Sequence, residues 1–274
     1  MSTPRVSVVM PVRDIATYVG GAVESILTQS FDDLELVVVD DGSRDDTASV
    51  LAAVRDARLR YARQPAAGIT VALNRGIALS RGELIARMDG DDVALPERLA
   101  RQVAFLDAHP DVGVLGTGWR ELGPGGRIVD VAPPIADDAG LRAALPRRNP
   151  FAHPTVIVRR SVGDAVGWYD ERWPVAQDYD LWIRLAAATR FANLREPLLL
   201  RRFTPAMTSL ARDDLRLETE ARLKWRAIRR GDLPLRAVVY VLRSVLVRAV
   251  PSRVRAARRR RRGDGVGLVA PRGG

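Results

Sequence analysis

The chain has no cysteine, a single lysine, two histidines and an aromatic content of only 5% in 274 residues. Without cysteine it cannot form a disulfide framework, a cysteine-based zinc cluster or a thiol nucleophile, and a cytosolic protein is the simplest interpretation. Because Lys224 is the only lysine, a lysine-rich loop cannot neutralise a bound phosphate.

Two common nucleotide-binding motifs are also missing. No G-x-G-x-x-G follows the first predicted strand, which disfavours a dinucleotide cofactor and therefore hydride transfer. No Walker A sequence is present, which excludes phosphoryl transfer from ATP by that route. Residues 1–5 run straight into a strand-like stretch without the apolar segment of a signal peptide, so we do not expect secretion.

Acidic residues are scarce only at the C-terminal end. Residues 1–200 contain 23 basic and 27 acidic side chains, a net charge of −4, whereas residues 201–274 contain 20 and 6, a net charge of +14. A near-neutral body with a basic end indicates a catalytic domain tethered to an anionic surface rather than a nucleic-acid-binding protein. An apolar share of 47% is enough for one large α/β domain, or for one domain with an extension.

Apolar runs rich in β-branched residues alternate with segments of helical spacing, the pattern of a parallel sheet. The predicted strands are residues 6–11, 34–39, 59–62, 84–88, 112–116 and 155–159, and the predicted helices are residues 18–28, 45–54, 70–79, 96–109 and 177–188. Ligands bind beyond the carboxyl ends of such strands. The aspartates expected there are Asp14, Asp40, Asp41, Asp89, Asp91 and Asp92.

Asp89, Asp91 and Asp92 place three carboxylates within four positions after the fourth strand. A loop with this much negative charge repels itself unless a cation or a metal-bound diphosphate binds there. An acidic turn before the next helix is the alternative, because Pro96 and Glu97 suit a first helical turn. In a chain with one lysine, a nucleotide diphosphate neutralised by Mg²⁺ or Mn²⁺ is the natural ligand.

Two other carboxylates are candidates for separate roles. Asp40 could accept a hydrogen bond from a nucleobase N–H, or it could be a turn carboxylate. If an alcohol attacks the transferred group, a general base must take its proton. Asp178, at the start of a predicted helix, is the first choice and Asp180 the second, although either could instead stabilise the helix N-terminus.

The composition changes after residue 203. Residues 211–230 predict a charged helix, and residues 233–250 predict an apolar helix that carries Arg236, Arg243 and Arg248 near one side, which suits a membrane interface. Five arginines follow at 258–262, and the glycine-rich residues 263–274 are predicted to be disordered. The alternative is a soluble helix packed on the body with a solvated basic tail.

Five blocks in this order resemble the inverting family 2 glycosyltransferases, nucleotide-sugar-dependent enzymes of the GT-A fold. The blocks are residues 6–14 (VSVVMPVRD), 25–47, 68–92, 95–106 and 177–186 (QDYDLWIRLA), and the resemblance covers roughly residues 5–205. It implies an α/β domain over residues 1–205 with a Rossmann-like, mostly parallel sheet flanked by helices. Residues 206–262 would then be a C-terminal helical extension that is basic and amphipathic.

The resemblance also implies roles for individual residues. Asp91 would bind Mn²⁺ or Mg²⁺, and Asp178 would be the catalytic base. The implied nucleotide-sugar contacts are Pro11, Val12, Asp14, Asp40, Gly68, Asn74, Asp89, Gly90 and Asp92. The candidate contacts of the diphosphate or the acceptor are His153, Arg202 and Trp182.

The chain departs from the family pattern at three positions. Gln177 replaces the glutamate that usually precedes the base, Leu73 stands where many relatives have arginine, and Phe203 stands where many have histidine. The Gln-x-x-Arg-Trp motif of processive synthases is missing after Asp178, so the resemblance implies transfer of a single sugar.

The expected function is transfer of one sugar from a UDP-sugar to a glycan or lipid-linked acceptor in cell-surface polysaccharide synthesis, at the inner face of the plasma membrane. A sugar nucleotidyltransferase is disfavoured because no glycine-rich, lysine-containing triphosphate loop is present. A non-catalytic protein that holds membrane or nucleic acid with its basic tail is the other alternative. Residues 258–262 lack interleaved aromatics, so we expect no nucleic-acid partner.

Overall fold

The N-terminal half of the chain alternates strand and helix, as its apolar pattern predicts. The structure is a computed structural model that describes residues 3–202 and 213–249. Its first elements are β1 (Val6–Val12), α1 (Ala16–Leu27), β2 (Leu34–Asp40), α2 (Thr47–Ala52), β3 (Leu59–Arg63), α3 (Ile69–Leu79) and β4 (Leu84–Arg87). All seven residues of β1 and all seven of β2 are buried, which explains their unbroken apolar character.

The later elements add strands of both directions to this core. They are β5 (Val93–Ala94), α4 (Arg98–Ala108), β6 (Val112–Leu122), β7 (Ile128–Asp130), α5 (Asp138–Ala144), β8 (Ile157–Arg159), α6 (Arg160–Val166), α7 (Gln177–Leu185) and β9 (Arg190–Arg202). The strand order is β3-β2-β1-β4-β8-β6-β9-β5, with β7 paired to β6. The strands β3, β2, β1 and β4 are parallel, whereas β8 runs antiparallel to both β4 and β6. The strands β6 and β9 are parallel to each other and run in the same direction as the first four, whereas β5 and β7 are antiparallel to their neighbours. The sheet is therefore mixed but mostly parallel, as expected.

Helices cover both faces of the parallel strands. On one face, Val19, Val23 and Ile26 of α1 join the large buried core. On the other, α3 packs so closely that a Cβ on Gly76 would lie 2.5 Å from Cγ1 of Val9. Burying one such valine or leucine side chain contributes about 1.5–3 kcal/mol. With both faces covered, the carboxyl ends of the strands are the open place for a ligand.

The chain divides into two compact units, Met1–Phe203 and Thr204–Gly274. In the second unit, α8 (Asp213–Arg230) and α9 (Val238–Ala249) are joined through Gly231, which has a φ of 83°, and a short 3₁₀ turn at Leu235–Ala237. Both helices were predicted. Of the described helices, none has the length and hydropathy that a membrane crossing requires. The arginine run and the tail predicted to be disordered lie outside the described residues.

Candidate active site

The loops after β1 and β2 are tied to each other at the carboxyl end of the sheet. The backbone N–H of Asp14 donates to Oγ of Ser43 over 3.0 Å, and the N–H of Arg44 donates to Oδ1 of Asp14 over 2.7 Å. Asp14 has a φ of 50°, a left-handed conformation that aspartate tolerates better than most residues. Its predicted contact with a nucleotide stays a prediction.

Asp40 is hydrogen-bonded inside the fold. Its side chain is 0% exposed, and its carboxylate accepts hydrogen bonds from the N–H of Ser43 at 2.7 Å and from the hydroxyl of Tyr61 at 2.9 Å. Burial, followed by this hydrogen bond, raises the pKa of Tyr61 to about 12. Both carboxylate oxygens are held inside the fold, which favours the alternative, a turn carboxylate. A contact between Asp40 and a nucleobase stays a prediction.

Asp41 was expected at the carboxyl end of the strands but was given no individual role, and the structure shows that it holds the loop before α3. Its Oδ1 accepts from the side chain of Gln64 and from the N–H of Ala67, both at 2.8 Å, and its Oδ2 accepts from the N–H of Gly68 at 2.8 Å. Gly68 has a φ of 99°, and the space beside its Cα is open. In the structure Asp40 pairs with Val12 inside the sheet, so that Asp41 is the first residue beyond the strand.

The acidic loop after β4 packs directly on the end of β1. A Cβ on Gly90 would lie 2.5 Å from Cδ1 of Ile15 and 2.7 Å from Cγ1 of Val12, so this position needs glycine. Pro11 and Val12 are buried within β1. One carboxylate oxygen from each of Asp89, Asp91 and Asp92 lies within 4.8 Å of the others. The loop therefore gathers its three acids at one point.

Asp89 is held by Arg87, the last residue of the preceding strand β4. Arg87 is buried and donates from Nη1 to Oδ2 of Asp89 over 2.7 Å and from Nη2 to Oδ1. Burial acts to lower the pKa of Arg87, but the charge and hydrogen bonds of Asp89 outweigh it and the pKa is raised. This two-point contact engages both oxygens of Asp89.

Asp91 and Asp92 are the acids of this loop that could hold a cation without giving up a contact with Arg87. Oδ1 of Asp92 accepts from the N–H of Arg202 at 2.8 Å, whereas its buried Oδ2 has no hydrogen-bond partner within the described part of the chain. Burial, and then the charges of Asp89 and Asp91, raise the pKa of Asp92 well above its ordinary value. Burial also raises the pKa of Asp91. An unpartnered carboxylate oxygen beside a second carboxylate fits Mg²⁺ or Mn²⁺, which prefer oxygen ligands.

Buried and half-buried arginines balance this negative charge. Arg98 is fully buried and donates to the carbonyl of Arg87 over 2.8 Å, and burial lowers its pKa to about 10. Arg202, at the end of β9, donates from Nε to the carbonyl of Asp91 over 2.9 Å and lies over the ring of Tyr18 at 4.5 Å. Its position beside the acids is compatible with the predicted diphosphate contact, which stays a prediction.

Asp178 lies in the first turn of α7, after Ala176 with its φ of 58°. Its Oδ2 accepts from Nδ2 of Asn149 over 2.6 Å, a partner that the sequence did not indicate. Burial raises the pKa of Asp178, while Asn149 and the charge of Arg87 act to lower it. Asp180, the second choice, is paired with Nε of Arg184 at 2.7 Å inside the helix. Asp178 is therefore the better candidate base.

Arg87 connects the two parts of the site. Its charge acts on both Asp91 and Asp178, lowering the pKa of each against the effect of burial. The hydroxyl of Tyr169 is also buried, and its pKa is raised by burial and by the charges of Asp178 and Asp89. The acidic loop and the candidate base thus lie within electrostatic reach of the same buried groups.

Two predicted contacts are not supported by the structure. Trp182 is 0% exposed and packs against Phe151 and His153, with ring centroids 5.3 and 5.9 Å apart, so it offers no face to a sugar. His153 is buried, and its Nε2 lies 2.7 Å from the hydroxyl of Tyr169. Burial and the charge of Arg87 lower the pKa of His153 well below its ordinary value. A neutral, buried imidazole cannot attract a diphosphate by charge, and a structural role fits it better.

Asn74 holds the segment before the candidate base. Its Nδ2 donates to the carbonyl of Tyr169 over 2.8 Å, and its Oδ1 accepts from the N–H of the same residue over 3.2 Å. The side chain of Asn74, which belongs to α3, therefore holds the backbone of Tyr169 against that helix. A contact between Asn74 and a nucleotide stays a prediction.

Comparison with known families and proteins points in one direction. The family model described as Glycosyl transferase family 2 matches residues 7–163. The chain is 32% identical to EpsE of Bacillus subtilis (strain 168), named provisionally as a glycosyltransferase, over 92% of each chain. It is 31% identical to the O-antigen biosynthesis glycosyltransferase WbnJ of Escherichia coli, over 71% of this chain and 78% of WbnJ. It is 28% identical to the amylovoran biosynthesis glycosyltransferase AmsE of Erwinia amylovora, over 68% and 70%.

Solved structures show the same fold at lower identity. S. aureus TarS 1–349 in complex with UDP-GlcNAc aligns with a TM-score of 0.64 and 21% identity, over 80% of this chain and 66% of TarS 1–349. The mannosyltransferase PcManGT from Pyrobaculum calidifontis, in complex with GDP-Man and Mn²⁺, aligns with a TM-score of 0.62 and 20% identity, over 92% and 72%. The chain thus spans about two thirds of the length of the TarS fragment.

Proposed function

Because the chain belongs to glycosyltransferase family 2 and has the GT-A fold, we propose that it is a metal-dependent, inverting transferase that moves one sugar from a nucleotide-diphospho-sugar to an acceptor hydroxyl. The observation that carries the proposal is the buried, unpartnered Oδ2 of Asp92 beside Asp91, within reach of the same Arg87 that acts on Asp178. A sugar nucleotidyltransferase or a non-catalytic binding protein gives Asp178 no comparable role.

Asp91 and Asp92 are the residues that would hold Mn²⁺ or Mg²⁺. When bound, the cation neutralises the negative charge of the departing nucleoside diphosphate. Arg87 keeps Asp89 in a fixed position beside this pair, and Arg202 adds a positive charge next to Asp91. The Mn²⁺ in the PcManGT complex supports the choice of metal.

Asp178 is the proposed general base. It takes the proton from the acceptor hydroxyl as the oxygen attacks the anomeric carbon. The bond to the diphosphate breaks on the opposite face, so that a single displacement inverts the configuration. Asn149 holds the carboxylate in place, and its hydrogen bond favours the ionised form that the reaction needs.

The nucleotide end of the donor would lie by Asp14 and Gly68, where the loops after β1 and β2 meet the start of α3 and Asp41 holds the N–H of Gly68. Pro11, Val12 and Asn74 would support this pocket. We propose a UDP-sugar as donor. The TarS complexes with UDP and with UDP-GlcNAc support this choice, although the GDP-Man in PcManGT shows that a related fold takes another base.

The proposed acceptor is a glycan or lipid-linked intermediate of a cell-surface polysaccharide. WbnJ and AmsE, which are named for O-antigen and amylovoran biosynthesis, support this acceptor class. We propose that the enzyme works at the inner face of the plasma membrane as a peripheral protein, because residues 201–274 have a net charge of +14 that suits an anionic surface.

Thermal unfolding with nucleotides tests the proposal. We expect UDP to raise the melting temperature of the protein only when Mn²⁺ is present, and GDP or dTDP to raise it less. A ligand at 100 times its Kd stabilises a folded protein by about 2.7 kcal/mol, which such an experiment resolves easily. If none of the three nucleotides stabilises the protein with Mn²⁺, the proposed donor site is wrong.

A further inference from the structure

The outward side of α9 and of the turn before it is apolar. Leu235, Val239, Leu242, Val245 and Leu246 are between 55% and 77% exposed, and we call these five side chains the α9 face. Within the helix, Val239, Leu242 and Leu246 are spaced by three and four residues, which places them on one side. Isolated exposed leucines are ordinary on proteins, but a continuous apolar strip of this kind marks an interaction surface.

The opposite side of α9 already has its partner inside the second unit. Ala237 and Ser244 are buried, and Arg248 donates from Nη2 to Oε2 of Glu218 on α8 over 2.9 Å. The helix therefore uses one side for folding and leaves the α9 face exposed. Sequence reasoning placed Arg248 with the other two arginines, whereas the structure turns it toward α8.

The charged residues near the α9 face indicate what kind of surface would cover it. Arg236 and Arg243 are exposed beside it, and residues 233–249 contain no acidic side chain. Residues 201–274 have a net charge of +14. An apolar strip with arginines beside it matches the boundary between acyl chains and anionic headgroups. A second copy of the same helix would instead bring more arginines to the face without a carboxylate on either helix to pair with them.

We propose that the α9 face is a membrane-docking surface, which inserts its leucines and valines into the headgroup boundary of a bilayer while Arg236 and Arg243 contact anionic phospholipid. This inference deepens the proposed function, because it names the part of the chain that would bring the transferase to a lipid-linked acceptor. Vesicle binding is measured without donor or acceptor, so its failure leaves the proposed sugar transfer untouched.

Co-sedimentation of the full chain with vesicles tests the inference. The vesicles are phosphatidylcholine alone or phosphatidylcholine mixed with phosphatidylglycerol. We expect the protein to bind the mixed vesicles and not the neutral ones. Leu242→Glu combined with Leu246→Glu should weaken binding by about tenfold or more, because two inserted side chains become charged. The matched control is Ile128→Glu in the first unit, where the side chain is 49% exposed, and it should bind as the wild type does.

A second variant separates charge from insertion. Arg236→Gln with Arg243→Gln should also weaken binding to the mixed vesicles, and the loss should shrink as salt is added. The inference is overturned if the wild type binds neither kind of vesicle. It is also overturned if the double leucine variant binds as well as the wild type, because other basic residues then account for the attraction. Sedimentation equilibrium measures whether the wild type dimerises through these leucines. If it does, and if it does not bind vesicles, the α9 face is a protein interface instead.

Discussion

Replacing Asn149 by alanine tests the proposed base without touching it. Asn149 donates from Nδ2 to Oδ2 of Asp178 over 2.6 Å, and this hydrogen bond lowers the pKa of a carboxyl group that burial raises. Alanine removes the donor, so the pKa of Asp178 should rise further. When the solution is acidified, Asp178 should then become protonated at a higher pH than it does in the wild type.

The size of the effect follows from the strength of the contact. A hydrogen bond to a charged group contributes about 1.5–3 kcal/mol. Asp178 is half-buried, and water can replace part of the lost contact, so we take the lower end. About 1.4 kcal/mol corresponds to a tenfold change in the ratio of ionised to protonated carboxyl. Transfer by Asn149→Ala should therefore fall roughly tenfold on the acid side of the pH profile and recover at high pH.

The assay is kcat against pH with saturating donor, acceptor and Mn²⁺. Asn193→Ala is the matched control, because Asn193 donates from Nδ2 to the carbonyl of Ile135 over 2.7 Å. It should lose stability and keep the pH profile of the wild type. An acid limb that does not move in Asn149→Ala, or a loss of activity that is equal at every pH, would refute the role given to Asp178.

Two other substitutions probe the acidic loop. Arg87→Met should lower the free energy of unfolding by about 3 kcal/mol, the lower end for a broken buried pair, because Asp89 is one-third exposed. The control Arg101→Met breaks an exposed pair with Glu97 and should cost less than about 1 kcal/mol. Equal losses of the two variants in urea unfolding would contradict the account. Gly90→Ala should lower the free energy of unfolding by about 1–3 kcal/mol and weaken Mn²⁺-dependent UDP binding, because the new methyl group would overlap Ile15. An unchanged calorimetric affinity for UDP would show that the loop is not tightly packed.

The strands β1, β2 and β4 could be predicted because each is buried along its whole length. β9 could not, because Arg195, Glu196 and Pro197 interrupt its apolar residues. The predicted strand at 155–159 begins later, since His153–Thr155 form a 3₁₀ turn around Pro154 and the strand is Ile157–Arg159. Segments that mix charged residues or proline with apolar ones do not show their structure in a periodic pattern.

The candidate site, too, could be predicted only in part. The acids of the loop after β4 are neighbours in sequence, so their clustering could be predicted. The partners that decide their roles could not: Asn149 and Asp178 are 29 residues apart, and Tyr61 and Asp40 are 21 apart. The burial of Asp40 and Trp182 likewise depends on tertiary packing, which no local pattern contains.

The most direct test measures donor binding and sugar transfer in two variants. With Mn²⁺ present, Asp91→Ala should lose calorimetric binding of the UDP-sugar, whereas Asp178→Asn should bind it like the wild type and fail to transfer the sugar. Equal loss of donor binding in both variants, or transfer that survives in Asp178→Asn, would contradict the separation of metal site and base.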